Sequence, residues 1–242
     1  MTTDPKHKWL MTGFRPLVRG LSALFWGLPL ALVVGMQGLV TDWLRPLGVY
    51  PPVFASALLL YGAVLIVRSA NLAGIGGRPV RDFAILFAVI NLGLSPFLYW
   101  WTRLPTISHF YWSVMTFTVT SFTFLYILNK LLLSLTEQLP DEVLRADVQF
   151  FSRFNGVLIF SVLFLVILYC VAAEVAQNIS PPNPFLGIVQ SIYGFRRELV
   201  LSLVLLPVAT TMSMLWKTKG SILRQIARRL DEPSSAPNWQ QN

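Results

Sequence analysis

Residues 113–130 read SVMTFTVTSFTFLYILNK, and the reading of this stretch decides the fold. Six serines and threonines stand between Ser113 and Thr123, and Thr116, Thr118 and Thr120 alternate with Phe117 and Val119. In water that period of two marks a half-buried strand. The surroundings argue otherwise. From Phe110 to Leu128 there is no charged residue, and an uncharged apolar run of roughly 18 residues or more is the signature of a membrane crossing. At 100° per residue Ser113, Thr116, Thr120 and Thr123 then share an arc of about 80°. Thr118 and Ser121 fall off that arc, His109 extends it at one end, and Lys130 lies close to its edge at the other. From His109 to Lys130 the stripe runs about 31 Å, the thickness of the hydrocarbon core.

Working outward, five further runs have the same character. The six are Leu21–Val40, Pro52–Val67, Phe83–Trp101, Phe110–Leu128, Gly156–Ala173 and Leu199–Trp216. The chain of 242 residues is 55% hydrophobic and 12% charged, against about 25% charged in an ordinary soluble domain. Tyr50, Trp100, Trp101, Tyr111, Trp112 and Trp216 fall near the ends of runs, where an aromatic belt belongs. The first run is too long for the apolar part of a signal peptide, and VTDWLRP after it is no cleavage site, so it is read as a retained span.

The net charge of +8 reflects orientation rather than nucleic-acid binding, because the basic residues are scattered through short segments between the runs. Fifteen of the nineteen Lys and Arg fall on one side of a six-span arrangement and four on the other. The four are Arg45, Arg103, Arg196 and Arg197. Positive charge accumulates on the cytoplasmic side, so both termini are expected there. The expected fold is all-α: a polytopic six-helix bundle in the cell membrane, N-in and C-in. Residues 1–20 form a basic cytoplasmic segment, 21–216 the six-span domain, 217–230 a basic interfacial helix and 231–242 a disordered tail.

Two amphipathic stretches are expected at the cytoplasmic surface, the first of them running into the fifth span. In residues 137–154, Pro140, Asp141 and Glu142 mark a helix start, and Val143, Leu144, Val148, Phe151 and Phe154 gather near one face. In KTKGSILRQIARRL, Ile222, Leu223, Ile226, Ala227 and Leu230 share a face, with Arg224, Arg228 and Arg229 on the remainder. These three arginines, and Arg78 and Arg81 of the glycine-rich loop NLAGIGGRPVRD, are placed to meet anionic lipid headgroups or a partner.

Inside the spans, Asn91 is the most conspicuous polar residue, because an amide in hydrocarbon needs partners. Ser95 lies one turn further on, and Pro96 frees a backbone carbonyl nearby. Asn91, Ser95, His109, Ser113, Thr116, Thr120 and Thr123 are therefore the candidate site. Small hydroxyl residues let helices approach closely and bond a neighbour or their own i−4 carbonyl. The same row would alternatively line a polar path.

Enzyme chemistry is poorly supplied. The only histidines are His7 and His109, the only cysteine is Cys170, and the zinc-protease and serine-hydrolase motifs are absent. No cofactor, metal or catalytic residue is expected, and no Asp, Glu or Arg at mid-span points to a charge-coupled pump. The sequence favours a non-enzymatic membrane subunit that contacts other membrane proteins or a second copy of itself. The alternative is a carrier for an uncharged or weakly polar solute, coupled to a cytoplasmic partner through residues 137–154.

Overall fold

The computed structural model describes residues 5–40, 44–72, 77–104, 106–137, 142–178, 204–224 and 227. Six α-helices have both ends within this range: α1 (Pro5–Val40), α2 (Tyr50–Leu72), α3 (Arg78–Leu94), α4 (Pro96–Arg103), α5 (Ser108–Thr136) and α6 (Glu142–Asn178). Residues 204–224 are also helical and are called α7. The period-two reading of residues 113–123 is thus excluded: they lie in the middle of α5. All the described secondary structure is helical, as expected.

Five stretches are long and apolar enough to cross a membrane: Arg15–Met36, Tyr50–Asn71, Arg78–Arg103, Ser108–Thr136 and Arg145–Leu168. The third runs through both α3 and α4. The sixth run of the sequence begins outside the described residues and is helical from 204 onward.

The helices pack as neighbours in chain order. α1 and α2 form the tightest pair, because Leu17, Leu21, Leu24 and Leu28 of α1 recur at helical spacing and are all buried, as are Ala63, Ile66, Val67 and Ala70 of α2. Two glycines set how closely these helices approach. A Cβ on Gly62 would stand 2.7 Å from Leu24 Cγ and 3.0 Å from the Gly20 carbonyl oxygen, so only glycine fits. α3 packs on α5 and on α2, and α5 packs on α6. α7 runs antiparallel to α6, since Asn155 meets Thr211 while Asp147 meets Lys217.

The first amphipathic stretch runs into the fifth span, as the sequence suggests, and the described part of the second continues the sixth. α6 extends 37 residues from Glu142 without a break, about 55 Å at helical rise and nearly twice the hydrocarbon thickness. Of the face that the sequence suggests, Val148 and Phe151 pack into the core and Phe154 does not. Val148, Ser152, Asn155, Ile159 and Val162 are buried, whereas Phe150 and Phe154 are exposed and stack on each other with their ring centroids 6.4 Å apart. α7 likewise passes through Trp216 into Arg224, with Met214, Leu215, Thr218, Ser221 and Ile222 turned inward.

Polarity is therefore inverted relative to a water-soluble bundle. Phe160 and Phe164 of α6 are 63% and 65% exposed, while Asn155 of the same helix is fully buried. Large apolar side chains cover the outside of α6 from Phe150 to Val171. In water such a continuous apolar surface would drive association. In lipid it costs nothing, and the polar groups are what must be gathered inside.

Candidate functional site

Asn91 sits on the buried face of α3 with Arg81, Ala84 and Ala88, one helical repeat apart. That face meets α5, and the only stripe residue turned fully toward it is Thr120. Thr120 Oγ1 lies 2.6 Å from Asn91 Oδ1, and the Ser121 hydroxyl lies 3.4 Å from the same oxygen. Thr120 Oγ1 is also 2.9 Å from the Thr116 carbonyl. Both partners are acceptors, so the single hydroxyl proton is shared between the amide oxygen of one helix and the backbone carbonyl of its own. The contact is a polar clamp between α3 and α5.

One turn beyond, Pro96 begins α4. Its missing N–H leaves the Leu92 carbonyl without the usual i+4 donor. Ser95 supplies the replacement: it is fully buried, and its hydroxyl donates to Leu92 O at 2.8 Å. The backbone stays right-handed helical at Ser95, and its N–H still reaches Asn91 O at 2.9 Å. The proline interrupts hydrogen bonding between α3 and α4 without turning the chain away.

The other stripe residues do not converge on this clamp. Ser113 donates to His109 O, Thr116 to Trp112 O and Thr123 to Val119 O, all at 2.8–2.9 Å. Thr116 is exposed on the outside of α5, beside Trp112 and Val119 of the same face. His109 is exposed at the far end, its ring edge-on to Phe97 of α4 at 5.8 Å. Phe110 stacks on Trp100 there, completing an aromatic cluster between α4 and α5. The seven candidates thus divide into a clamp (Asn91, Thr120 and the nearby Ser95), an outward hydroxyl row (Ser113, Thr116 and Thr123) and an aromatic-flanked histidine.

Among the arginines, Arg78 is exposed at the start of α3. Arg81 is almost fully buried and donates to Ala70 O at 3.4 Å. It thereby places a cation at the C-terminal turn of α2, where carbonyls lack intrahelical partners and the helix dipole is negative. Arg224 is exposed, and its Nε reaches back to Gly220 O. Arg228 and Arg229 lie outside the described residues. Among the described residues no three His, Cys, Asp or Glu side chains come together as a metal site would need.

Sequence reasoning missed a second set of polar groups. Asn129 of α5 and Asn155 of α6 are buried, as are Thr136, Ser152, Thr211, Thr218 and Ser221. Asn155 Nδ2 donates to Thr211 Oγ1 at 2.8 Å and lies 3.2 Å from Pro207 O, tying α6 to α7. The signal was a heptad one. Asn129 and Thr136 are seven residues apart on α5, as are Thr211 and Thr218 on α7.

Comparison with known families, characterised proteins and solved structures finds no match of any kind. The class rests on the fold: the described residues are helical, with five stretches long and apolar enough to cross a membrane, as in a multi-pass membrane protein.

Proposed function

We propose that this chain is a non-enzymatic integral membrane subunit or scaffold of the cell membrane. It crosses six times with both termini in the cytoplasm, and it acts through helix contacts with other membrane proteins or a second copy of itself. One observation carries this reading. The hydroxyls of Ser113, Thr116 and Thr123 are satisfied by their own backbone, and Thr116 faces outward between Trp112 and Val119. A row of small side chains on an outer helix face, needing nothing from the bundle interior, suits close approach by another helix. A solute path would turn the same hydroxyls inward with their protons unspent. Exposed basic residues at the cytoplasmic ends, among them Arg78 and Arg224, hold the bundle at anionic headgroups, whereas the buried Arg81 serves the end of α2.

The test is the assembly state. Purified in mild detergent, the protein is expected at a mass above the 27.3 kDa of one chain. Thr116→Leu with Thr123→Leu is expected to split that assembly while the monomer keeps its melting temperature. Recovery only as a single copy would overturn the reading, and loss of solute uptake at full stability would favour a carrier instead.

A further inference from the structure

Asn129 is 1% exposed, and neither its Nδ2 nor its Oδ1 has a hydrogen-bond partner among the described residues. Asn155 is fully buried and uses its Nδ2 on α7, while its Oδ1 and the buried Thr218 Oγ1 likewise have no partner among the described residues. Each such orphan forfeits the hydrogen bond it makes in water, and the loss is larger where no bulk water is near. Few buried polar groups in a folded protein go unpaired, and here three residues on adjacent helices carry them.

Their positions are related. The ring of Tyr126 on α5 stands against Phe160 of α6 with centroids 5.7 Å apart, and a Cβ on Gly156 would lie 3.7 Å from Tyr126 Cε2. α5 and α6 are long, packed on each other and joined by a short connection, so they run antiparallel. One turn beyond Tyr126 on α5 is Asn129, and one turn before Gly156–Phe160 on α6 is the Ser152–Asn155 turn. The two asparagines therefore share a level of the bundle. Thr211 joins that level through its bond to Asn155, and Thr218 lies two turns further along α7 on the same face.

The donor set selects the occupant. At the Asn129–Asn155 level a cation would satisfy the two amide oxygens but leave Asn129 Nδ2 unbonded. An anion would satisfy the Nδ2 and repel the two amide oxygens. Only a neutral molecule that donates and accepts serves both atoms of Asn129 at once. We infer that the α5–α6–α7 interface is a built hydration site, in which ordered water bonds both amide atoms of Asn129 and the Oδ1 of Asn155, and further water, about 10 Å along α7, bonds the hydroxyl of Thr218. Ordered water in such places makes about three hydrogen bonds and is costly to remove. The inference does not depend on the subunit reading.

Met214 reports on the site. It is fully buried on α7 between Thr211 and Thr218, so bulk radicals do not reach it. Pulsed radiolysis of the full chain in nanodiscs makes hydroxyl radicals in place from bound water. The expected result is Met214 oxidation in the wild type, with slow uptake of ¹⁸O after mixing with labelled water. Asn129→Leu is expected to lower that rate at least about fivefold, with Met115 on the α5 surface as the control; Thr218→Val is expected to lower it less. An unoxidised Met214 in the wild type overturns the inference whether or not either variant folds. So does an unchanged rate in a folded Asn129→Leu protein, or a non-aqueous ligand retained in native mass spectrometry.

Discussion

Thr120 holds one proton between two acceptors on different helices. Its hydroxyl lies within 2.9 Å of both the Asn91 amide oxygen on α3 and a carbonyl of its own helix. In lipid such an interhelical bond contributes about 0.6 kcal/mol on average and up to about 1.7. Asn91 is 5% exposed, so its loss would fall at the upper end. Thr120→Val is expected to destabilise the protein by about 1–1.5 kcal/mol in denaturant titration. Thr116→Val, on the same helix but facing out, is expected to change it by less than about 0.5 kcal/mol. Equal losses from the two substitutions would contradict the clamp. Asn91 and Thr120 were legible because each lies deep within an apolar run, where a polar side chain stands out. Asn129 and Asn155 were not, because they lie at the ends of runs, beside Lys130 and ahead of Gly156. At such places a polar residue reads as the membrane interface. Only the continuation of α5 and α6 past the runs turns both into core positions.

At the scale of elements, the junction of α3 and α4 makes a sharper prediction. Ser95 donates to the Leu92 carbonyl because Pro96 cannot. Ser95→Ala is expected to cost about 1 kcal/mol by leaving that buried carbonyl unpaired. In a Pro96→Ala background, where the restored N–H takes over the carbonyl, Ser95→Ala is expected to cost almost nothing. Additive losses in this double-mutant cycle would show that the serine acts otherwise. The α1–α2 pair makes another. Gly62→Ala pushes a methyl to 2.7 Å from Leu24 and 3.0 Å from the Gly20 backbone, which cannot move without parting the helices. An overpacking cost of about 1–3 kcal/mol is expected in the same titration, against nearly none for Gly35→Ala, whose Cβ would meet nothing within 4 Å. Helix identities were readable from run length and lack of charge. The start of α6 at Glu142 was readable as well, from Pro140, Asp141 and Glu142; the burial of Ser152 and Asn155 was not, because it depends on packing rather than on local sequence.

At the scale of the whole molecule, little stability comes from burying leucines, since lipid is as apolar as the interior. Close packing and polar clamps carry the bundle instead: Asn91 with Thr120, Asn155 with Thr211, and Lys217 with Asp147 at 2.7 Å. The last pair is 38% and 47% exposed, so Lys217→Ala is expected to cost under about 1 kcal/mol, less still at high salt. That economy requires lipid around the outside of α6, where Phe160 and Phe164 are mostly exposed. The most direct measurement places a spin label at Phe160, Phe164 or Asn155, one at a time, in a Cys170→Ser background in nanodiscs. The account predicts ready collision with oxygen and none with a water-soluble nickel reagent at the two phenylalanines, and slow, immobilised spectra at Asn155. Ready nickel access at Phe160 and Phe164 would mean that water solvates this face, and the membrane-spanning bundle would fall with it.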